Sequence, residues 1–533
     1  MTDLINKLRG GYYTPNKVAR FICNWAITSP SDNILEPSCG DGAFIAAAHE
    51  RLSKLGCTNP EPSILGIELY DSEAKKAAKC GGRVITGDFF TFCTDKINGA
   101  KYDAIVGNPP FIRYQDFEER YREKAFELMH RYGFSPNRLT NIWLPFLVVC
   151  SHLISDRGRL GMVIPAELFQ VKYASETRHF LMDYFESVSI VTFENLIFEN
   201  AQQEVILLLA ERHAKDKDRG VRIIELKDAD SLATLTPRKI QTLQPKRKLP
   251  DSTKWQAYYL DQRTIDLVSR LLEDPHVRRC SNLFDVNVGL VSGQNSFFVL
   301  DKSTAEENSI LNSCVPIISR SFQLDGLCLT DADYESQVDL GRKVLLFLPK
   351  NRLSAADLQY VKKGEMQGVN KNYKCRIRTP WYQVPTSWKP DAFFYRQVGA
   401  YPRIVLNKTA AYSTDTLHKI RFHTGVHAGS AIVSFNNSLT FLMSELMGRS
   451  YGGGVLTFEP SESRDLPIPY DPSAEFDFEM ANHLVRQERT EELIAHVDKV
   501  LLEKYLGLSS AEVSLLHAGW QTLRSRRMRR KKR

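Results

Sequence analysis

The chain has 533 residues, 43% of them apolar and 25% charged, with a formal net charge of +7. That length suits two or three soluble domains and excludes a single small fold, and no apolar run is long enough for a bilayer span or an export signal. Ten cysteines stand singly, with no C-x-x-C pair, which argues against a zinc cluster or a disulfide framework and for reduced thiols in a cytoplasmic protein.

The first half alternates short apolar runs with helical stretches. Strands are predicted at Asn33–Pro37, Ser63–Leu69, Arg83–Thr86, Tyr102–Gly107, Arg159–Ile164, Ser187–Phe193 and Glu204–Ala210. Most are continuously apolar and β-branched, as expected of strands buried on both faces. Helices are predicted near Ala43–Leu55, Asp71–Lys79 and Trp143–Ile154. This alternation predicts βαβ units, a mostly parallel sheet covered by helices, and an antiparallel edge hairpin formed by the last two strands.

The first strand ends in EPSCGDGAF, Glu36 to Phe44. Its glycines permit a tight strand-to-helix turn at the carboxyl edge of the sheet, where open α/β sheets bind ligands. Alone, this pattern is also that of an ordinary turn. The second strand ends in Glu68, placed to accept hydrogen bonds from ribose hydroxyls. The third runs into Asp88-Phe89, a carboxylate for an adenine amino group beside a ring for its face. Each acid is equally suited to a helix cap, yet three in order at successive strand ends point to an adenosine. There is no P-loop, and the third glycine of the dinucleotide fingerprint is missing. An adenosine cofactor without phosphates remains, and S-adenosylmethionine fits.

The fourth strand ends in Asn108-Pro109-Pro110-Phe111. An exocyclic amino nitrogen is a poor nucleophile because its lone pair is delocalised into the ring. Two acceptors aimed at its N–H groups, the Asn108 side-chain oxygen and the Pro109 carbonyl, favour the tetrahedral form and release that pair. The prolines stiffen the loop, and Phe111 can stack on the base. The plain alternative is a rigid loop with a buried phenylalanine.

With these motifs the chain resembles the gamma-class N6-adenine DNA methyltransferases of restriction–modification systems, of the Taq-like kind. GGYYTP (Gly10–Pro15), RLTNIWLPF (Arg138–Phe146), RLGMVIPAELF (Arg159–Phe169) and NLIFENAQQEVILLL (Asn195–Leu209) are similar to further motifs of that family. The resemblance implies a Rossmann-like S-adenosylmethionine-dependent methyltransferase sheet followed by a mixed, β-rich target-recognition domain. It implies cofactor contacts at Thr14, Glu36, Ser38, Cys39, Glu68, Asp88, Phe89 and Pro110, with Phe146 in the pocket wall. It also implies a second ring, Phe198, against a flipped adenine. The family often has tyrosine where this chain has Phe111.

The domain boundary is expected at about residue 245, giving a catalytic domain over 1–245 and a recognition domain over 246–533. Within the latter, Lys362–Arg396 holds eight Lys/Arg against two acids, interleaved with aromatics. Lys371, Lys374, Arg376, Arg378, Trp381 and Tyr382 are the DNA-binding candidates; the plain alternative is a β-rich domain with an aromatic core and a solvated basic face. RIRTPWYQVP (Arg376–Pro385) also resembles a stretch common in recognition domains of the family. NVGLVSGQNSFFVL (Asn287–Leu300) and YGGGVLTFEPSESRDLPIP (Tyr451–Pro469) look like further family landmarks. A closing helical stretch is expected near Phe476–Lys504. The tail from Arg524 to Arg533 carries eight positive charges and no acid, leaving the rest of the chain near −1. It reads as a solvated, disordered end or as a source of unspecific phosphate attraction.

The expected partner is double-stranded DNA, with a separate cognate restriction endonuclease as a further possibility and no metal or membrane. Competing readings are an RNA adenine methyltransferase, a fused restriction–modification enzyme, a protein-glutamine methyltransferase, and a catalytically silent DNA-binding subunit.

Overall fold

The computed structural model describes residues 14–95, 99–169, 171–195, 197, 204–212, 220–246, 254–386, 388–451 and 454–529. The chain divides into two compact units, Met1–Ile265 and Asp266–Arg533. The first unit continues beyond residue 245 through local ties. Lys246 bridges to Val221, its Nζ donates to the Tyr258 carbonyl at 2.7 Å, and Tyr259 stacks on Phe169.

The first unit is built on an eight-stranded sheet. Its strands are β1 (Ile34–Glu36), β2 (Ile64–Glu68), β3 (Arg83–Thr86), β4 (Tyr102–Gly107), β5 (Ile154–Pro165), β6 (Ser187–Phe193), β7 (Val205–Glu211) and β8 (Val221–Leu226). They lie in the order β3-β2-β1-β4-β5-β7-β6-β8. Alternate residues of one strand feed opposite faces. Ala104 and Val106 join a core with the helices Asn16–Ala26 and Ala43–Lys54, while Ile105 between them is equally buried. That two-sided burial is why the strands read as unbroken apolar runs. The chain runs β1, β2, β3 outward and returns to β4 beside β1, so the topological switch point lies between β1 and β4.

One expectation is corrected. β7 is antiparallel to both β5 and β6, but it is inserted between them and is not at the edge. The edge belongs to β8, which runs parallel to β6. Val221, Ile223 and Ile224 alternate too irregularly among charged neighbours to stand out in sequence. β8 is a strand because Val188–Phe193 offers it a paired backbone over six residues.

The second unit contains a five-stranded sheet in the spatial order Phe284–Val288, Leu417–Phe422, Ala392–Tyr395, Ile404–Asn407, Cys328–Leu329. Smaller sheets of four and three strands accompany it. The helix Ser438–Met447 is buried along nearly its whole length. Asp498 accepts from its first amide, Ser438 N, at 2.8 Å and from Ser438 Oγ at 2.6 Å. The closing stretch consists of the helices Phe478–Arg486 and Thr490–Val497 running into a π-helical segment, Asp498–Tyr505.

The tail departs from a solvated end. The helix Ser510–Arg529 takes in most of it, and the buried Trp520 packs on Phe441 of the buried helix. Arg524 pairs with Glu491 at 3.2 Å and lies over the Trp520 ring. Arg527, with only 3% of its side chain exposed, grips Glu445 through two bonds of 2.8 and 2.6 Å. It also donates to the carbonyls of Gly399 and Gly454. These two arginines are committed inside the unit. Residues 530–533 lie outside the described residues. All ten cysteines are free, and seven are buried.

Candidate active site

A cavity opens at the carboxyl ends of β1 to β4. The turn after β1 requires its glycines: Gly40 has φ +52 and Gly42 φ +95, and a Cβ on Gly42 would meet Ala77 Cα at 2.8 Å. Glu68, at the end of β2, ties this turn down. Its Oε2 accepts from Gly40 N at 2.8 Å and its Oε1 from Tyr70 N at 3.0 Å. A carboxylate has about four acceptor positions, so capacity for ribose hydroxyls is retained. Asp88, after β3, caps the helix Phe89–Asp95 through Oδ1, which accepts from Thr91 N at 2.7 Å and Thr91 Oγ1 at 2.9 Å. The side chain that caps this helix thus also lines the cavity.

Thr14, Glu36, Ser38, Cys39, Glu68, Asp88, Phe89, Pro110 and Phe146 all line this cavity, together with Asn108. Phe89 and Phe146 stack on each other, centroids 5.1 Å apart and planes 12° off parallel, and give it an aromatic wall. Ser38 Oγ donates to the Asn108 carbonyl at 3.5 Å. Asn108 Nδ2 donates to Thr14 Oγ1 at 3.1 Å, across 94 positions of sequence. That bond orients the amide, and its oxygen is buried.

Pro109 and Phe111 are not among the lining residues. Pro109 is buried in the loop, and Phe111 packs partly against the core beneath the sheet. Phe198 lies outside the described residues, as does Gly10–Tyr13 of the first motif.

The sequence reading missed Tyr70 and Glu73 beyond β2, and Ile112, Asp116, Phe117, Glu118 and Tyr121 beyond the Asn-Pro-Pro-Phe loop. Position was an available signal for Tyr70 and Ile112, which adjoin Glu68 and the Asn-Pro-Pro-Phe loop; the others lie further along the chain and carried none.

Seven carboxylates line the cavity (Glu36, Asp41, Glu68, Glu73, Asp88, Asp116 and Glu118) and, among the described residues, no lysine, arginine or histidine does. Burial pushes Glu36 well above the usual carboxylate range, with Glu68 and Asp41 adding to the shift. Burial likewise raises Asp41, Glu68 and Asp88, and keeps the Cys39 thiol protonated. Among the described residues the buried Glu36 Oε2 has no hydrogen-bond partner, which is costly unless a ligand supplies one. This lining repels phosphates and suits a cation with aromatic and ribose parts. S-adenosylmethionine, with its sulfonium and ammonium, fits the donors and acceptors present.

In the second unit the basic stretch divides. Lys371, Lys374 and Arg376 are exposed, whereas Arg378, also expected on the DNA, is half-buried and donates to the Ser292 carbonyl at 2.7 Å. Trp381 packs against Phe297 and Phe298, and its Nε1 donates to Glu365 at 3.1 Å. Tyr382 packs against the same core. Phe393 and Phe394 are fully buried. Much of the aromatic content is therefore core.

Sheet order, switch-point cavity and Asn-Pro-Pro-Phe loop together define the fold of S-adenosylmethionine-dependent methyltransferases. Residues 2–259 match the family model described as N-6 DNA Methylase. Residues 252–502 match the C-terminal domain of Type II methyltransferase M.Eco57I. Type II methyltransferase M.AccI of Acinetobacter calcoaceticus is 24% identical over 525 residues, 93% of each chain. M.XamI of Xanthomonas campestris pv. amaranthicola is 22% identical, over 86% of this chain and 85% of its own. Among solved structures, the Type IIL restriction–modification enzyme MmeI in complex with DNA aligns over 93% of this chain and 73% of its own, with TM-score 0.53 at 12% identity. That likeness speaks to the fold.

Proposed function

We propose that this protein is a site-specific DNA adenine N6-methyltransferase of the gamma class, serving a restriction–modification system. The observation that carries the reading is the pairing of Asn108 with Thr14 in the wall of an acid- and aromatic-lined cavity with, among the described residues, no basic side chain to hold a phosphate. Motif order supports the class: cofactor turn, then acceptor loop, then a second unit large enough to choose a site. The DNA in the MmeI complex, the type II names of the curated relatives and the M.Eco57I-like second half support duplex DNA as substrate. The same reading places the protein in the cytoplasm with the chromosome. The first unit carries the chemistry and the second the recognition.

Glu68 and Asp88 would hold the ribose and adenine of S-adenosylmethionine, with Phe89 and Phe146 as apolar wall and Glu36 facing its positive end. When bound, the cofactor supplies an electrophilic methyl carbon. An adenine inside a duplex cannot reach that carbon and must be flipped out. Asn108 Oδ1 and the Pro109 carbonyl then accept from the two N–H groups of N6 and direct its lone pair outward. The Thr14 bond keeps the amide from turning its nitrogen toward the base. Phe198 would be one wall on the ring, and Phe111 would stack there only by leaving its packing against the core.

The test offers duplex DNA, RNA and protein to the full chain with methyl-labelled cofactor and maps the labelled atom. N6-methyladenine at one recurring sequence in DNA is expected. Label confined to RNA or protein, or no transfer at all, refutes the reading.

A further inference from the structure

Two stretches that share no pattern in the sequence come together in the second unit. The turn Val291–Gln294 seats the short helix Tyr373–Arg376. Gly293 makes this possible: its φ is +93, and a Cβ there would lie 2.7 Å from Cys375 Sγ and 3.2 Å from Lys374 Cβ. Arg378 locks the far end, donating to the Ser292 carbonyl at 2.7 Å and to that of Val291. Asn372 Nδ2 locks the near end on Gln294 Oε1. Cys375 points inward and is fully buried.

The outward side of this rigid support is unusual. Tyr373 is 63% exposed and Ile377 59%, one helical turn apart, with Val291 beside them at 37%. Lys371, Lys374 and Arg376 surround them, and among the described residues none of the three forms an ion pair. A monomer gains nothing from holding a tyrosine and an isoleucine in water on a fixed mount. Apolar side chains ringed by unneutralised cations suit a surface that is polyanionic outside and apolar between its stacked bases.

We infer that residues 371–377 form a wedge that engages duplex DNA. Lys371, Lys374 and Arg376 bind backbone phosphates, and Tyr373 and Ile377 press into the groove at a base step. Trp381, Tyr382 and Arg378 build the mount and do not touch DNA. The inference rests on duplex DNA being the substrate.

The experiment measures binding of the full chain to a duplex that the wild type methylates, across a salt series. Lys371→Ala/Lys374→Ala/Arg376→Ala should flatten the slope of log affinity against log salt by close to one per cation. Tyr373→Ser/Ile377→Ser should lower affinity by about tenfold at every salt, with the slope unchanged, because the lost contact is apolar. All five side chains are exposed, so an unchanged melting temperature is expected and is measured alongside. Affinity within twofold of wild type and an unchanged slope in both variants overturn the wedge while leaving the methyltransferase intact. So does a change confined to self-association, which would make the patch a protein contact. A wild type that neither binds nor methylates any duplex overturns both this inference and the function it rests on.

Discussion

The carboxyl edge of the catalytic sheet and the basic stretch 362–396 respond differently to the same kind of reading. At the sheet edge, all nine side chains expected around the cofactor line one cavity. In the basic stretch the expected DNA contacts split: three cations are exposed, while Arg378 is tied to the Ser292 carbonyl and Trp381 and Tyr382 pack half-buried against the core. At the sheet edge a residue's place is fixed by the backbone, since the last residue of a buried parallel strand has one direction to face. In the basic stretch only composition was available, and composition does not distinguish an aromatic that stacks on a base from one that fills a core.

Four substitutions sharpen or break this contrast. Asn108→Ala has the largest expected effect: turnover falls by at least about 10³-fold, roughly 4 kcal/mol, as for other oriented polar groups in a reaction centre. Cofactor affinity stays within a few-fold, measured by calorimetry. Trp381→Ala should cost about 3 kcal/mol of stability through the space left beside Phe297 and Phe298, yet leave the salt dependence of DNA binding unchanged. A slope that changes with preserved stability would put Trp381 on the DNA instead. Asp88→Asn separates cap from ligand. Asparagine caps as well as aspartate, so the melting temperature holds, while loss of a charge-assisted bond weakens cofactor binding by about tenfold or more.

The smallest effect concerns Asp498, where burial pushes the carboxyl up to about 6, against about 3.9 for a free aspartate. Between those values the folded chain binds this proton more tightly than the unfolded one. The group's contribution to stability is therefore lost as pH rises toward and through about 6. Asp498→Asn keeps an acceptor for Ser438 N and removes the titration. Its melting temperature relative to wild type should climb between pH 5 and 8, by on the order of 2 °C. A parallel pair of curves would show the group to be unperturbed.

The parts of the fold legible in sequence were those with a strong local code. Tyr102–Gly107 and Ser187–Phe193 read as strands because each is built around a β-branched apolar run, Ile105-Val106 and Ile190-Val191, and the structure places strands there. β8 was passed over because Arg222 and Glu225 interrupt it, and its partner is set by distant residues. In the site, Glu68 and Asp88 were legible from their strand ends, whereas the Thr14–Asn108 bond joins residues whose pairing no local pattern encodes. Glu73, Phe117 and Tyr121 reach the cavity from segments whose course is fixed only in the folded state. Arg527 was grouped with a solvated tail because its neighbours are basic, but its environment is set by Glu445, 82 residues earlier.

That clamp has a practical corollary for anyone who handles the molecule. Cleavage or trimming upstream of Arg527 would strand the Glu445 carboxylate, 4% exposed, inside the protein without its counter-ion. It would also release the Gly399 and Gly454 carbonyls that the same guanidinium holds. Affinity handles therefore belong after this latch, and proteolytic loss of the last helical turn should show up first as loosening around Gly399 and Gly454.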